Sequence, residues 1–214
     1  MVQALLAIEG KFKDPPLPAD VPAVQGLRAA CAVLVVAVFE DFLKSTFRDE
    51  IDDFSTKSLV FNKMPKKLQV AAVFLQLEQA MEGPGEKFDR IAGVTAAATR
   101  VAGSKIMAES FASTNSNPNP LTVKGMFRNI DCPDIFAKCK ARFEKTWGTP
   151  ISATFVSDKL SEIVNRRHAA AHSGRLLNAS RQDLKESVRF VRKLGATLEL
   201  ELRAHLRVVA KTSR

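Results

Sequence analysis

The chain has 214 residues, 46% of them hydrophobic, which suits one domain with a full apolar core. Its net charge of +9, from 32 Lys and Arg against 23 Asp and Glu, points to a polyanionic partner. The absence of Tyr, a single Trp and the scarcity of alternating β-branched runs argue against a sheet-based fold. Cys31, Cys132 and Cys139 are odd in number and lack close pairing, so they imply neither a disulfide framework nor a zinc module and fit a reducing cytoplasm. Residues 1–8 carry no basic segment, so no signal peptide is expected. The longest apolar run, Ala29 to Phe39 between Arg28 and Glu40, is too short to span a bilayer, and no membrane partner is expected.

In chain order, residues 1–23 read as a lead-in whose Pro15, Pro16, Pro18 and Pro22 block regular helix. Residues 24–214 read as a single all-α domain. A long helix runs from about Val24 to Glu50, apolar nearly all round and therefore central. A connection over 52–65 leads to a helix from Lys66 to Met81, ended by Gly83-Pro84-Gly85. An alanine-rich helix from Glu86 to Phe111 is weakened by Gly93 and Gly103, and residues 112–120 form a flexible loop. A short helix covers Leu121 to Asn129. Another covers Asp131 to Trp147, capped by Asp131 and stopped by Gly148. The next runs from Ser157 to His172, with Ser157 as N-cap and Gly174 as stop.

The last helix, about Ser180 to Val209, has an apolar seam at Leu184, Val188, Val191, Gly195, Leu198, Leu202, His205 and Val209. A basic stripe runs along it through Arg181, Lys185, Arg189 and Arg192, and again from Arg203 to Arg214. From Arg166 onward the chain holds 12 Lys and Arg against 4 Asp and Glu, nearly all of the net excess. Arg175, Arg181, Lys185, Arg189 and Arg192 are the candidate contacts to a nucleic-acid backbone. A solvated helix face would show the same charges.

The segment with most chemistry is Asn165-Arg166-Arg167-His168-Ala169-Ala170-Ala171-His172. On a helix, His168 and His172 stand about 40° apart and Asn165 nearly eclipses His172, making one polar strip. Arg167 lies about 140° from His172, on the side of Leu160, Val164 and Ala171. An arginine there calls for a counter-charge. Glu40, in the most apolar stretch of the chain, is the expected partner. Three readings fit the histidine pair: two partly exposed side chains in a helix's last turns, two metal ligands in want of a third, or acid–base groups beside phosphate-gripping arginines. The other carboxylates, Glu9 and Asp41 included, have no spacing that singles them out.

Arg167-x4-His172 resembles the R-x(4–6)-H signature of the HEPN superfamily, with His168 where many members carry Asn. The apolar helix ending Glu40-Asp41-Phe42-Leu43 is similar to the family's first long helix. Residues 121–130 are similar to its short helix ahead of the motif, and Ile163 to Gly174 resembles the RiboL-PSP branch. The resemblance implies an all-α HEPN-like bundle with long central helices and extra short ones, often a homodimer whose motif helices meet. It implies a metal-independent endoribonuclease, without cofactor, of a toxin–antitoxin or defence system, with RNA as substrate and an antitoxin protein as a further partner. Catalysis would rest on Arg167, His172 and His168, supported by Glu40, Asn165 and Arg166. The alternative is a catalytically silent HEPN-like module that binds nucleic acid or protein.

Overall fold

A computed structural model describes residues 1–82, 87–103, 105–114, 117–174 and 179–214. The fold is all-α, with no strand among the described residues. Its helices are α1 (Val2–Glu9), α2 (Val21–Ser55), α3 (Lys66–Glu82), α4 (Lys87–Ala102), α5 (Ala108–Ala112), α6 (Pro120–Asn129), α7 (Ile135–Trp147), α8 (Phe155–Ser173) and α9 (Arg181–Thr212).

The long helices fall where the periodicity places them, and the differences have local causes. Helix α1 precedes the prolines rather than being prevented by them; Leu6 and Glu9 are its buried residues. Gly103 splits the expected 86–111 helix into α4 and α5. The Gly83-Pro84-Gly85 break lies outside the described residues. Asp131 has a left-handed backbone (φ 63°) that no helix start allows, so α7 begins at Ile135 instead of being capped by Asp131. Helix α8 begins two residues early: Thr154 is its N-cap, and the Ser157 hydroxyl donates to the Thr154 carbonyl.

Helix α2 is long and apolar enough, by length and composition, to cross a membrane: the expectation drawn from the uninterrupted run did not count the whole helix. Ala29, Cys31, Ala32, Val35, Val36, Phe39, Leu43, Phe47, Ile51 and Phe54 are buried along it, as in a core helix. The three cysteines are buried thiols, and burial followed by the nearby Glu9 charge pushes Cys31 up to about 11.

The chain forms two compact units. The first comprises residues 1–42, the described part of 116–122, and the described residues from 136 to 198. Its core joins Leu6 of α1, Ala29, Cys31 and Ala32 of α2, Ala170 of α8, and Leu184 of α9, with Val33 and Val188 packed against them. An aromatic cluster of Phe143, Trp147, Phe155 and Phe190 fastens α7, α8 and α9, with ring centroids 5.5–6.4 Å apart. This draws Phe190 and Leu194 inward, so the buried line of α9 departs from the expected seam at Val188 and Val191, which are half-buried. Gly195 lets the Phe42 ring approach: a Cβ there would stand 2.9 Å from Phe42 Cε1.

The second unit comprises the described residues of 43–115, residues 123–135 and residues 199–214. Phe47 meets Phe127 edge-on at 5.0 Å. Arg203 donates to Glu50 at 2.6 and 2.8 Å, and His205 Nε2 donates to the Ile130 carbonyl at 2.7 Å. The Val60 N–H donates to Ser213 O at 2.8 Å, tying the C-terminus to the connection after α2.

Candidate functional site

Helix α8 presents the motif by a simple division of its circumference. Val156, Leu160, Ile163, Val164 and Ala170 are buried, whereas Asn165, Ala169, Ala171 and His172 are exposed. The helix ends at Gly174, whose positive φ of 63° gives a left-handed cap and whose N–H donates to Ala170 O at 2.8 Å. His172 thus stands in the last turn, open to solvent and without a hydrogen-bond partner among the described residues.

The polar strip predicted from helical arithmetic exists. Asn165 and His172 are exposed and His168 is half-buried. The inward side differs from expectation at its C-terminal end: Ala171 is exposed, and Ala170 takes the core position. Arg167 is therefore half-buried at the margin of the core. It forms no hydrogen bond or ion pair among the described residues, so the expected pairing with Glu40 is not made there. The physical reason is hydration: a guanidinium that reaches water needs no buried counter-ion. Glu40 is itself half-buried, with interactions of its own.

Arg166, the neighbouring arginine, is committed. Its guanidinium meets Glu162 one turn back, donates to Ser187 Oγ at 3.0 Å and lies 3.6 Å from Asp183 Oδ1. It fastens α8 to α9 and is held away from the solvent strip. Arg181 is also committed. It bonds the Glu9 carboxylate and donates to the carbonyls of Glu9 and Phe12 at 3.1 and 2.8 Å. Arg175 lies outside the described residues. Lys185, Arg189 and Arg192 are exposed. Arg189 is held over the Trp147 ring at 4.5 Å and donates to the Trp147 carbonyl at 2.8 Å.

Two residues that the sequence did not single out shape this region. Asn117 brings its side-chain amide to 3.4 Å from His168 Nε2. The residues after it, expected to be flexible, are pinned: Thr122 Oγ1 donates to Asn117 O at 2.9 Å, Pro118 is buried, and Asn119 Oδ1 accepts from the N–H groups of Leu121 and Thr122 at the start of α6. Residues 115 and 116 lie outside the described residues. Asn117 was one of three asparagines in a polar run, and nothing local marks which one reaches the motif.

Glu9 is fully buried. It accepts from Arg28 at 2.8 Å and from Arg181, while Arg28 also donates to Asp14 at 3.0 Å and to Ala179 O at 3.1 Å. This cluster ties α1 to α2 and to the chain entering α9. The one local signal was an acidic residue closing an otherwise apolar helix. Among the described residues no group of three or more His, Cys, Asp or Glu comes together as metal ligands.

The chain matches the family model described as RiboL-PSP-HEPN over residues 3–204, nearly its whole length and including α1. No curated protein and no solved structure matches it significantly.

Proposed function

Since the chain belongs to the RiboL-PSP-HEPN family, we propose that it is a metal-independent endoribonuclease acting as a homodimer, in the cytoplasm, within a toxin–antitoxin or defence system. The observation that carries this reading is the solvent-open face of α8, where His172 stands exposed one helical turn from His168. Histidine exchanges protons near neutral pH, and Arg167, with no counter-ion among the described residues, is available to a phosphate.

The RNA 2′-hydroxyl attacks the adjacent phosphorus and gives up its proton to a base. The bond from phosphorus to the 5′ oxygen breaks, and an acid protonates that oxygen. The products are a 2′,3′-cyclic phosphate and a 5′-hydroxyl. His172 of one chain serves as base or acid and His172 of the second chain takes the other role. Arg167 stabilises the charge that develops on the phosphorane. His168, steadied by Asn117, positions the substrate. The 140° between Arg167 and His172 on one helix keeps a single copy from aiming both at one atom, which is why the site is read as shared between two chains. Arg166, fixed to Glu162, supports α8 rather than touching RNA.

A second reading, a catalytically silent module that binds nucleic acid or an antitoxin-like protein, is favoured by one observation: no described residue orients His172 or Arg167. RNA cleavage in EDTA, wild type against His172→Ala, separates the two. The enzyme reading expects cleavage with cyclic-phosphate ends in the wild type and about 10²–10⁴-fold slower cleavage in the variant. Wild-type protein that binds RNA without cutting it establishes the silent module, and a His172→Ala protein as active as the wild type sinks the mechanism.

A further inference from the structure

Helices α1 and α9 enclose an open groove of about 570 Å3 in the first unit. Each helix contributes the same spacing, i, i+3, i+4, i+7: Gln3, Leu6 and Ala7 of α1 with its C-cap Gly10, whose backbone is still helical, and Lys185, Val188, Arg189 and Arg192 on α9. Residues so spaced fall within about 100° of one another on a helix, so each set is one continuous face. Lys11, just past α1, completes the lining.

The chemistry of the groove is one-sided. It has four cations, Lys11, Lys185, Arg189 and Arg192, and no carboxylate among its lining residues. The acids at this end of α9 are turned to another flank and occupied there. Asp183 holds Ser180 and faces Arg166, and Glu186 pairs with Lys159 at 2.7 Å. Glu9, the nearest acid of α1, is buried against Arg28 and Arg181. The floor is apolar, from Leu6, Ala7 and Val188. Arg189 is not a loose cation: Trp147 covers one face of its guanidinium and accepts its hydrogen bond. Leu6 and Val188 also pack in the core cluster that contains Ala170 of the motif helix, so the groove and α8 share one core.

We propose that this groove is a subsite for an unpaired stretch of RNA flanking the cleaved bond. Phosphates run along the four cations, and a base lies on the aliphatic floor or on the open face of the Arg189 guanidinium. Charge selects a polyanion. The apolar floor selects a strand whose bases are free, because a paired duplex keeps its base faces stacked and offers only its backbone. The volume lies in the ~300–1,000 Å3 range of sites that take small ligands, enough for a nucleotide but not for a duplex. The proposal rests on reading the chain as one that acts on RNA, and it adds Lys11 and the α1 face to the stripe on α9 while withdrawing Arg181, which Glu9 holds.

The test measures binding of a fluorescent 2′-O-methyl oligouridine, a single strand without the attacking hydroxyl, against a duplex of equal length. The proteins are the wild type, Lys11→Ala/Lys185→Ala, Ala7→Glu, and Lys66→Ala/Lys145→Ala as a control of equal charge loss. All the substituted residues are exposed, so the fold is kept. The expected result is about a tenfold weaker single strand for both groove variants, a salt slope smaller by about 0.7 for each lysine removed, and little change for the control or the duplex. Wild-type affinity in the groove variants, equal losses for single strand and duplex, no binding by the wild type, or displacement by polyglutamate but not by excess unlabelled strand each overturns it. The last of these would assign the groove to an acidic protein segment. His172→Ala must keep the binding. If that variant cleaves as fast as the wild type while the groove variants lose the strand, the catalytic scheme falls and the subsite stands. If His172→Ala is slowed as expected and the groove variants bind as before, the reverse holds.

Discussion

At the α1 end of the first unit the protein buries a carboxylate completely and sets two arginines on it, Arg28 and Arg181. On α8 it leaves His172 in solvent and Arg167 without a partner among the described residues. The same contrast recurs between neighbours: Arg166 is locked to Glu162 and Ser187 while Arg167 is not. Both regions are rich in ionisable groups, yet only in the second can a group change its charge state or its partner without disturbing the core. A buried, fully paired carboxylate is a structural joint, because removing it takes a charge partner from buried Arg28 and from part-buried Arg181 together. An exposed imidazole has no such duty.

Substitutions widen or close that contrast. The largest expected effect is on the α8 side: His172→Ala lowers RNA cleavage about 10²–10⁴-fold while thermal unfolding stays as in the wild type. Loss of both activity and stability together would place His172 among the structural residues. On the other side, Glu9→Ala costs about 3–5 kcal/mol in urea unfolding, since Arg28 keeps only Asp14 as an acidic partner and Arg181 keeps backbone carbonyls. A cost below about 1 kcal/mol would show that water reaches the cluster and that the two regions are alike.

Asn117→Ala is an intermediate case. The residue touches His168 but not the core, so cleavage falls about two- to tenfold with no change in unfolding midpoint. The effect shifts the pH–rate profile if Asn117 works through the imidazole, and leaves the profile in place if it only shapes the loop.

The smallest effect concerns the start of α9. Asp183 accepts from the Ser180 hydroxyl at 2.7 Å and its N–H at 2.8 Å, while its own N–H donates to Ser180 Oγ at 3.1 Å. These bonds, outweighing a small burial penalty and aided by Arg166, hold the carboxyl below its ordinary range. The sign follows: the stabilisation is complete above the ordinary carboxylate pKa of about 4 and is lost as pH falls through the depressed value. Asp183→Ala therefore lowers stability by about 1 kcal/mol at neutral pH, and the gap to wild type narrows below pH 4 in urea titrations. A gap independent of pH would mean that the cap does not depend on ionisation.

Much of the fold is legible in the residues. Apolar periodicity and Pro/Gly punctuation place α2, α3, α6, α8 and α9 within a few residues, because helix formation depends on neighbours three and four apart. The strip of Asn165, His168 and His172 follows from the same arithmetic. What fails is local capping and distant pairing. Asp131 looks like a cap and adopts a left-handed turn. Ala171 looks inward and faces water, and Arg167 looks in need of Glu40 and has solvent instead.

By itself, then, the sequence determined the all-α class, the family and the side of α8 on which its histidines stand, all consequences of short-range spacing and of one matched motif. Only the tertiary structure decided which charges are bound and which are open. It took Arg181 out of the basic stripe and fixed Arg166 between two helices, buried Glu9 between two arginines 19 and 172 positions away, and carried Asn117 to His168 across 51 residues. The reason is physical: whether an ionisable side chain is a joint or a reagent depends on the dielectric around it and on partners brought by other helices. Neither is written in the residues beside it.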